Sequence, residues 1–98
     1  MFMASTPEKK VKDQVVKTLK KFGAYYFFPA THGYGRSGVP DIIVCYKGRF
    51  IAFECKAGGN TCTALQLKEI DAIGMAGGEA YVIKEDNVDL VRAVLEDM

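Results

Sequence analysis

Two apolar runs on either side of a tight turn constrain the fold of this chain more than any other feature. Residues 42–46 and 50–55 are rich in β-branched and aromatic side chains. Runs of this length and composition predict two antiparallel strands joined by a hairpin. With Lys47-Gly48 as a two-residue loop, Tyr46 pairs with Arg49, and this pairing sets the register of the whole hairpin.

The hairpin register brings three charged side chains together. Asp41 falls opposite Glu54, where opposed Cβ atoms are ~4.5–5.5 Å apart and like charges destabilise the pair. Lys56 lies two residues beyond Glu54, so the strand period returns it to the same face. Two carboxylates with open positions suit Mg²⁺ or Mn²⁺, and a substrate phosphate commonly completes such a site. The pattern indicates phosphodiester hydrolysis, with the lysine orienting water or stabilising the transition state.

The same residues have a structural interpretation, in which Asp41 caps a strand after Pro40 while Glu54 and Lys56 form a solvated stripe. The rest of the hairpin is apolar, with Ile43, Cys45, Phe50 and Ala52 on the charged face and Ile42, Val44, Tyr46, Ile51, Phe53 and Cys55 on the other. Two apolar faces predict the middle of a covered sheet. Buried charge is costly there, which favours a functional site.

Pro40-Asp41, twelve intervening residues and Glu54-Cys55-Lys56 resemble the PD-(D/E)XK nuclease signature. The wider pattern, with Gly38-Val39 before it, Ile42-Ile43 within it and Gln66 after it, resembles the VRR-NUC branch, the virus-type replication-repair nucleases, from about Glu8 to Lys84. The resemblance implies a restriction-endonuclease-like mixed α/β sheet and a metal-dependent DNA endonuclease. It makes Asp41 and Glu54 the ligands of Mg²⁺ or Mn²⁺, and Lys56 a catalytic residue.

Two further residues enter through the same resemblance. Family members carry an acidic residue on the first helix that helps with metal, and Glu8 is the only glutamate available there. Glu8 also fits a helix start, either in a capping box with Ser5 or after Thr6 as N-cap and Pro7 at the first helical position. Gln66 matches a glutamine beside the metal site, which implies a catalytic role, with a helix-surface amide as the alternative.

The charge distribution indicates a nucleic-acid partner. The net charge is only +1, but residues 1–40 carry seven basic and two acidic side chains, and the remainder carries six and ten. Six of the basic residues lie on the predicted first helix: Lys9, Lys10, Lys12, Lys17, Lys20 and Lys21. As a patch they favour contact with DNA, through Lys9 and Lys12 among others, although a solvated face is the simpler interpretation of any single lysine.

A glycine-rich loop, residues 31–38, leads directly to Asp41 and is expected at the mouth of the site. Arg36 is predicted to hold a phosphate, and Tyr34 to stack on an unpaired base. A lone histidine can be a base or a ligand. With a lysine and a metal already able to activate water, His32 is predicted instead to contact DNA or backbone.

The remaining segments predict a single domain, residues 1–98, in the order α-β-β-β-α-β-α. A strand covers Tyr25–Phe28, and residues 60–63 cap a helix that runs to Ala76. A strand covers Glu79–Lys84, and Asp86 or Asn87 opens the last helix. The first three strands form an antiparallel meander, and the crossover helix sets the last strand parallel to its partner.

Composition limits the remaining possibilities. No stretch approaches the ~20 apolar residues of a membrane span, and the first residues lack the apolar core of a secretory signal, so a soluble protein in the cytoplasm of a bacterium or phage-infected host is expected. The three cysteines, Cys45, Cys55 and Cys62, suggest neither a disulfide framework nor a zinc site and are expected to be buried apolar residues.

Stand-alone members of the branch are similar to dimeric Holliday-junction resolvases, so the resemblance implies branched DNA as the substrate and a homodimer. Apolar surface around Tyr25, Tyr26, Phe27 or the final helix is available for the dimer contact. Two alternatives stay open. The fold can serve as a catalytically idle module that binds structured DNA or a replication protein, or the chain can be a small interaction protein that docks through its basic helix.

Overall fold

The computed structural model describes residues 6–30 and 35–97; Ser5, His32 and Tyr34 lie outside these ranges. The elements are α1 (Pro7–Phe22), β1 (Tyr25–Phe27), β2 (Ile42–Tyr46), β3 (Arg49–Cys55), α2 (Ala64–Met75), β4 (Glu79–Ile83) and α3 (Asp89–Glu96). One four-stranded sheet has the order β1-β2-β3-β4. The first three strands are antiparallel neighbours, and β4 runs parallel to β3. The predicted order and strand directions are confirmed.

The hairpin has the predicted register. Tyr46 pairs with Arg49, and Ile42 pairs with Phe53 at the far end. Lys47 and Gly48 have φ values of 50° and 79°. Positive φ at both loop residues matches the right-handed twist of the flanking strands, which is why a two-residue loop joins them without splaying the strands.

The core lies between one face of the sheet and the helices α1 and α3. Val11, Val15 and Leu19 are buried at four-residue spacing along α1, so one side of that helix faces the core. Thr6 is the N-cap, since its side chain accepts a hydrogen bond from Lys9 N at 3.1 Å. Of the two predicted helix starts, the structure has the one with Pro7 at the first position.

The opposite face of the sheet is only partly covered. Ile43 and Ala52 are buried there, but Phe50 is 48% exposed and Cys45 is exposed. Helix α2 packs mainly on β4 at one side of the sheet, so it does not reach across the outer half of the meander. The expectation of a hairpin covered along both faces was therefore wrong at this end, as was the expected burial of Cys45.

The last helix begins differently from the prediction. Its N-cap is Val88, without a side-chain cap. Asn87 instead closes the turn after β4, because its Oδ1 accepts from Lys84 N at 2.6 Å and its Nδ2 donates to Val82 O at 3.0 Å. Asp86 and Asn87 were thus wrongly predicted as caps. Among the described residues, no helix combines the length and apolarity that crossing a membrane requires.

Candidate active site

Glu54 is the centre of the candidate site. It lies near the end of β3 on the face turned towards α2, and it is 3% exposed. Its Oε2 accepts a hydrogen bond from Gln66 Nε2 at 3.1 Å and lies 3.5 Å from Lys56 Nζ. Its Oε1 is buried, and no described residue donates to it. The strand period therefore brings Lys56 beside Glu54 as predicted, and helix α2 adds Gln66.

The electrostatic environment makes the charged form of Glu54 costly. Burial raises the pKa of its carboxyl group to about 7, and the negative charges of Asp41 and Glu8 act in the same direction. The Lys56 ammonium opposes the increase in pKa without cancelling it. The three acidic groups thus form one electrostatic cluster, and a bound positive charge would relieve it.

Asp41 is held at the edge of this cluster by a backbone hydrogen bond. Its Oδ2 accepts from Cys55 N at 2.8 Å. Asp41 lies one residue, and Cys55 two residues, beyond the last pair of β2 and β3, which joins Ile42 to Phe53. The side chain thereby fastens the start of β2 to the end of β3. The capping and functional interpretations of Asp41 are compatible, because only one of its carboxylate oxygens makes this bond. Burial also raises the pKa of the Cys55 thiol to about 12, which keeps it protonated and unreactive.

Gln66 has its orientation set by the start of α2. Thr63 is the N-cap, with Gln66 N donating to Thr63 Oγ1 at 3.2 Å and Thr63 N donating to Gln66 Oε1 at 2.9 Å. This capping box occupies the amide oxygen and leaves the amide nitrogen directed at Glu54. Gln66 therefore both completes the capping box at the start of α2 and donates a hydrogen bond to the buried carboxylate of Glu54.

Gly38 is part of the motif, and its sequence context indicated only the general role of a loop glycine that lets the backbone approach a neighbouring segment closely. Its φ is 82°, and a Cβ atom there would lie 2.6 Å from the backbone carbonyl of Leu65 and 2.9 Å from Gln66 N. The segment before Asp41 therefore lies directly against the first turn of α2. A glycine two residues before Pro40-Asp41 was the available signal, since only glycine fits both the conformation and the space.

Glu8 lies with Asp41 in a cleft of about 530 Å³ between α1 and the end of β1. Lys9 and Lys12 line the same cleft. The Lys9 ammonium forms an ion pair with Asp13 at 3.0 Å. The structure thus places the predicted first-helix acid and two predicted DNA-contacting lysines beside Asp41.

Arg36 forms an ion pair with Glu69. Its guanidinium donates to both carboxylate oxygens of Glu69 on α2, with an NH2-to-Oε2 distance of 2.9 Å. Arg36 is 71% exposed and Glu69 13% exposed, so the guanidinium still faces solvent. Its predicted phosphate contact stays a prediction, and those of His32 and Tyr34 fall on residues outside the described ranges.

The donor set fits a hard divalent cation in part. Within residues 6–30 and 35–97, no group of three or more histidine, cysteine, aspartate or glutamate side chains has the geometry of a metal site. Asp41 and Glu54 do supply two carboxylates near one another, and the unpartnered Oε1 of Glu54 is an acceptor for which a cation is the natural partner. The chemistry suits Mg²⁺ or Mn²⁺, with water or substrate oxygens completing the coordination.

Comparison with known sequences finds a phage relative. The chain is 35% identical over 86 residues to "Putative nuclease p44" of Acyrthosiphon pisum secondary endosymbiont phage 1. The match covers 85% of this chain and 86% of that protein. None of the protein-family models that were scanned matches the chain.

Two solved structures share the fold. A structure described as a VRR_NUC domain aligns with a TM-score of 0.74 at 21% identity, covering 95% of this chain and 98% of that one. The Hjc protein of Archaeoglobus fulgidus, a Holliday junction resolvase from an archaeal hyperthermophile, aligns with a TM-score of 0.58 at 23% identity. That alignment covers 79% of this chain and 65% of Hjc.

Proposed function

This chain belongs to the same family as the phage protein p44 and has the fold of a VRR_NUC domain, and we propose that it is a divalent-metal-dependent endonuclease that hydrolyses DNA. The observation that carries the proposal is Glu54, a nearly inaccessible carboxylate with an unpartnered oxygen. Burying such a group costs stability. A catalytic metal site accounts for why the fold retains it.

Asp41 and Glu54 would hold the metal ion, and Glu8 is available as a third acidic group. When bound, a divalent cation supplies a water of lowered pKa and neutralises charge that develops on the phosphate. Lys56 is 8% exposed and has its ammonium 3.5 Å from Glu54 Oε2. From there it would hold the attacking water or stabilise the charge of the transition state. Gln66 would keep Glu54 in place through the 3.1 Å hydrogen bond.

Branched DNA is the substrate that we propose. Hjc, which shares the fold, is a Holliday junction resolvase. In this chain, Lys9 and Lys12 lie in the cleft beside Asp41, where a phosphate backbone can follow the basic helix into the site.

We also propose that the protein acts as a homodimer. Helix α2 has no buried residue and exposes Leu65, Leu67 and Met75 by 54%, 55% and 83%. Beside it, an apolar groove of about 800 Å³ includes Phe27 and Phe50. A projecting apolar helix and an open groove on one chain suit a two-fold contact between identical copies. The apolar stripe of α3 is instead buried in the core. Light scattering after size exclusion should give twice the chain mass, and Met75→Glu should give the monomer.

The nuclease proposal is tested by cleavage of labelled four-way junction, flap, single-stranded and duplex DNA with Mg²⁺ or Mn²⁺. We expect cutting of branched DNA that requires the metal and is lost in Glu54→Ala and Lys56→Ala. Glu96→Ala and Lys47→Ala change the same residue types at exposed positions away from the site and should cut normally. Binding without cutting under every metal would instead identify an idle DNA-binding module.

A further inference from the structure

The cleft beside Asp41 has aromatic and basic walls, and the carboxylates of Glu8, Asp13 and Asp41 line it as well. Tyr26 and Phe28 line it from the end of β1, while Lys9, Lys12 and Lys20 line it from α1. Its volume of about 530 Å³ lies within the range of pockets that hold small ligands. Aromatic rings next to basic side chains are the combination that binds single-stranded nucleic acid, since bases stack on the rings and phosphates meet the cations.

Phe28 is the exposed ring of this cleft. It directly follows β1 and is 49% exposed. The Lys12 ammonium lies over the ring, 4.1 Å from its centroid, and Tyr26 packs beside it with the ring centroids 5.9 Å apart. On the side of α1 the ring face is therefore covered by a cation, and a flat partner can stack there once Lys12 moves aside. An ammonium on an exposed ring is held weakly, so Lys12 can exchange this contact for a phosphate.

Helix α1 presents its basic residues along the cleft at regular spacing. Lys12, Val16 and Lys20 follow one another four residues apart, so they share one side of the helix. Lys12 and Lys20 are about 12 Å apart along the helix axis at 1.5 Å per residue. Among residues 6–30 and 35–97, neither has a carboxylate within ion-pair distance. Both ammonium groups are therefore available for phosphates.

We propose that this cleft takes up one unpaired nucleotide next to the phosphate that is cut, with its base stacked on Phe28 and its flanking phosphates on Lys12 and Lys20. The inference rests on the proposed nuclease function, because Asp41 forms the wall that the cleft and the metal site share. A base must leave the duplex to enter the cleft, and this costs least where it is already unpaired. The cleft would thus select DNA with an unpaired nucleotide at the branch over continuous duplex.

The test uses DNA that carries 2-aminopurine as the unpaired nucleotide at a branch, and a fully paired duplex of the same length. Binding is measured with Ca²⁺ in place of Mg²⁺, and gels verify that the DNA stays intact. Phe28→Leu keeps apolar bulk but removes the ring, whereas Phe28→Trp keeps a stacking surface. Tyr25→Leu is the matched control, because Tyr25 carries an exposed ring, 68%, on the strand that Phe28 follows and lines neither this cleft nor the apolar groove.

We expect the wild type, Phe28→Trp and Tyr25→Leu to quench 2-aminopurine fluorescence, and Phe28→Leu to leave it bright. Loss of one stacking contact should weaken binding to the branched DNA by about 5- to 150-fold and leave duplex binding unchanged. If Phe28→Leu kept the wild-type affinity for both DNAs, or lost affinity for both by the same factor, the inference would be overturned. Because the measurement needs no cleavage, it separates the two proposals. Cleavage without Phe28-dependent quenching would contradict only the proposed nucleotide site. Quenching without cleavage would contradict only the proposed nuclease activity.

Discussion

Gln66 connects the start of helix α2 to the buried carboxylate of Glu54. Its amide nitrogen donates to Glu54 Oε2 at 3.1 Å, while its amide oxygen accepts from Thr63 N at 2.9 Å. Neither end of the amide is free to turn without losing a hydrogen bond. The geometry of the site therefore depends on a helix cap that lies outside the nuclease signature.

Replacing Gln66 by alanine should affect both activity and stability. Loss of a residue that orients a metal ligand typically costs about 10- to 100-fold in activity or metal affinity, and loss of the capping box should cost about 1 kcal/mol. Cleavage rates and urea unfolding measure the two effects. Gln14→Ala, at an exposed position of α1, is the control and should cut at the wild-type rate. Full activity of Gln66→Ala would show that Glu54 does not need this amide.

Gly38→Ala should disturb the same contact from the other side. The new Cβ atom would lie 2.6 Å from the Leu65 carbonyl, so the loop and the first turn of α2 must separate. Overpacking of this kind costs about 1–3 kcal/mol, in addition to about 1 kcal/mol for a positive φ in alanine. We expect a lower urea midpoint and reduced cleavage.

Gly48→Ala isolates the conformational part of this cost. Gly48 has a φ of 79°, close to the 82° of Gly38, but nothing lies within 4 Å of its Cβ position. The Gly48→Ala variant should therefore lose less stability than Gly38→Ala and should cleave DNA at the wild-type rate. If both variants lost the same unfolding free energy, the close approach of Gly38 to Leu65 would not affect stability.

The local parts of the fold were predictable because each follows from short-range rules. The Lys47-Gly48 turn sets the register, and the strand period then places Lys56 beside Glu54. The Phe28 cleft was not predictable, because it requires the angle at which α1 crosses the sheet. The exposure of Cys45 and Phe50 depends in the same way on how far α2 reaches across the sheet. Periodicity indicates which residues share a face, but not whether that face is covered.

The contacts of Arg49 should contribute more to the free energy of unfolding than an exposed ion pair does. It donates to both oxygens of Glu79, at 2.7 and 2.8 Å, and to the backbone carbonyls of Val94 and Asp97, each at 2.9 Å. It thereby joins the hairpin turn to β4 and to the end of α3. Lysine has no planar fork and cannot make these bonds together. Arg49→Lys should cost about 2 kcal/mol in unfolding free energy.

Arg92→Lys is the control for this prediction. Arg92 pairs with Glu96 one turn away on α3, and the two side chains are 64% and 53% exposed. Exposed pairs at this spacing contribute about 0.3–0.5 kcal/mol. Denaturant unfolding should therefore separate the two variants clearly, and equal midpoints would contradict the structural role of Arg49.

Stability of the metal-free protein should fall as the pH rises through the range in which Glu54 ionises. Its pKa is about 7 in the folded protein against the usual 4.5, so between these values the folded state binds more protons than the unfolded chain. The stabilising contribution is fully present below pH 4.5 and lost as the pH rises through 7. At 1.36 kcal/mol per pKa unit the loss amounts to at most about 3 kcal/mol.

Urea unfolding in EDTA at several pH values measures this effect as the difference between the wild type and Glu54→Gln, because groups that titrate in both proteins cancel. The wild type should lose stability relative to the variant between pH 5 and 8. Mg²⁺ at 100 times its dissociation constant should then restore about 2.7 kcal/mol to the wild type at pH 8, and much less to Glu54→Gln, because an amide is a weaker ligand for a hard cation than a carboxylate. If the difference in unfolding free energy between the wild type and Glu54→Gln stayed constant across this pH range, Glu54 would have the same pKa in the folded protein as in the unfolded chain. The ionised carboxylate that the proposed metal neutralises would then not destabilise the metal-free protein.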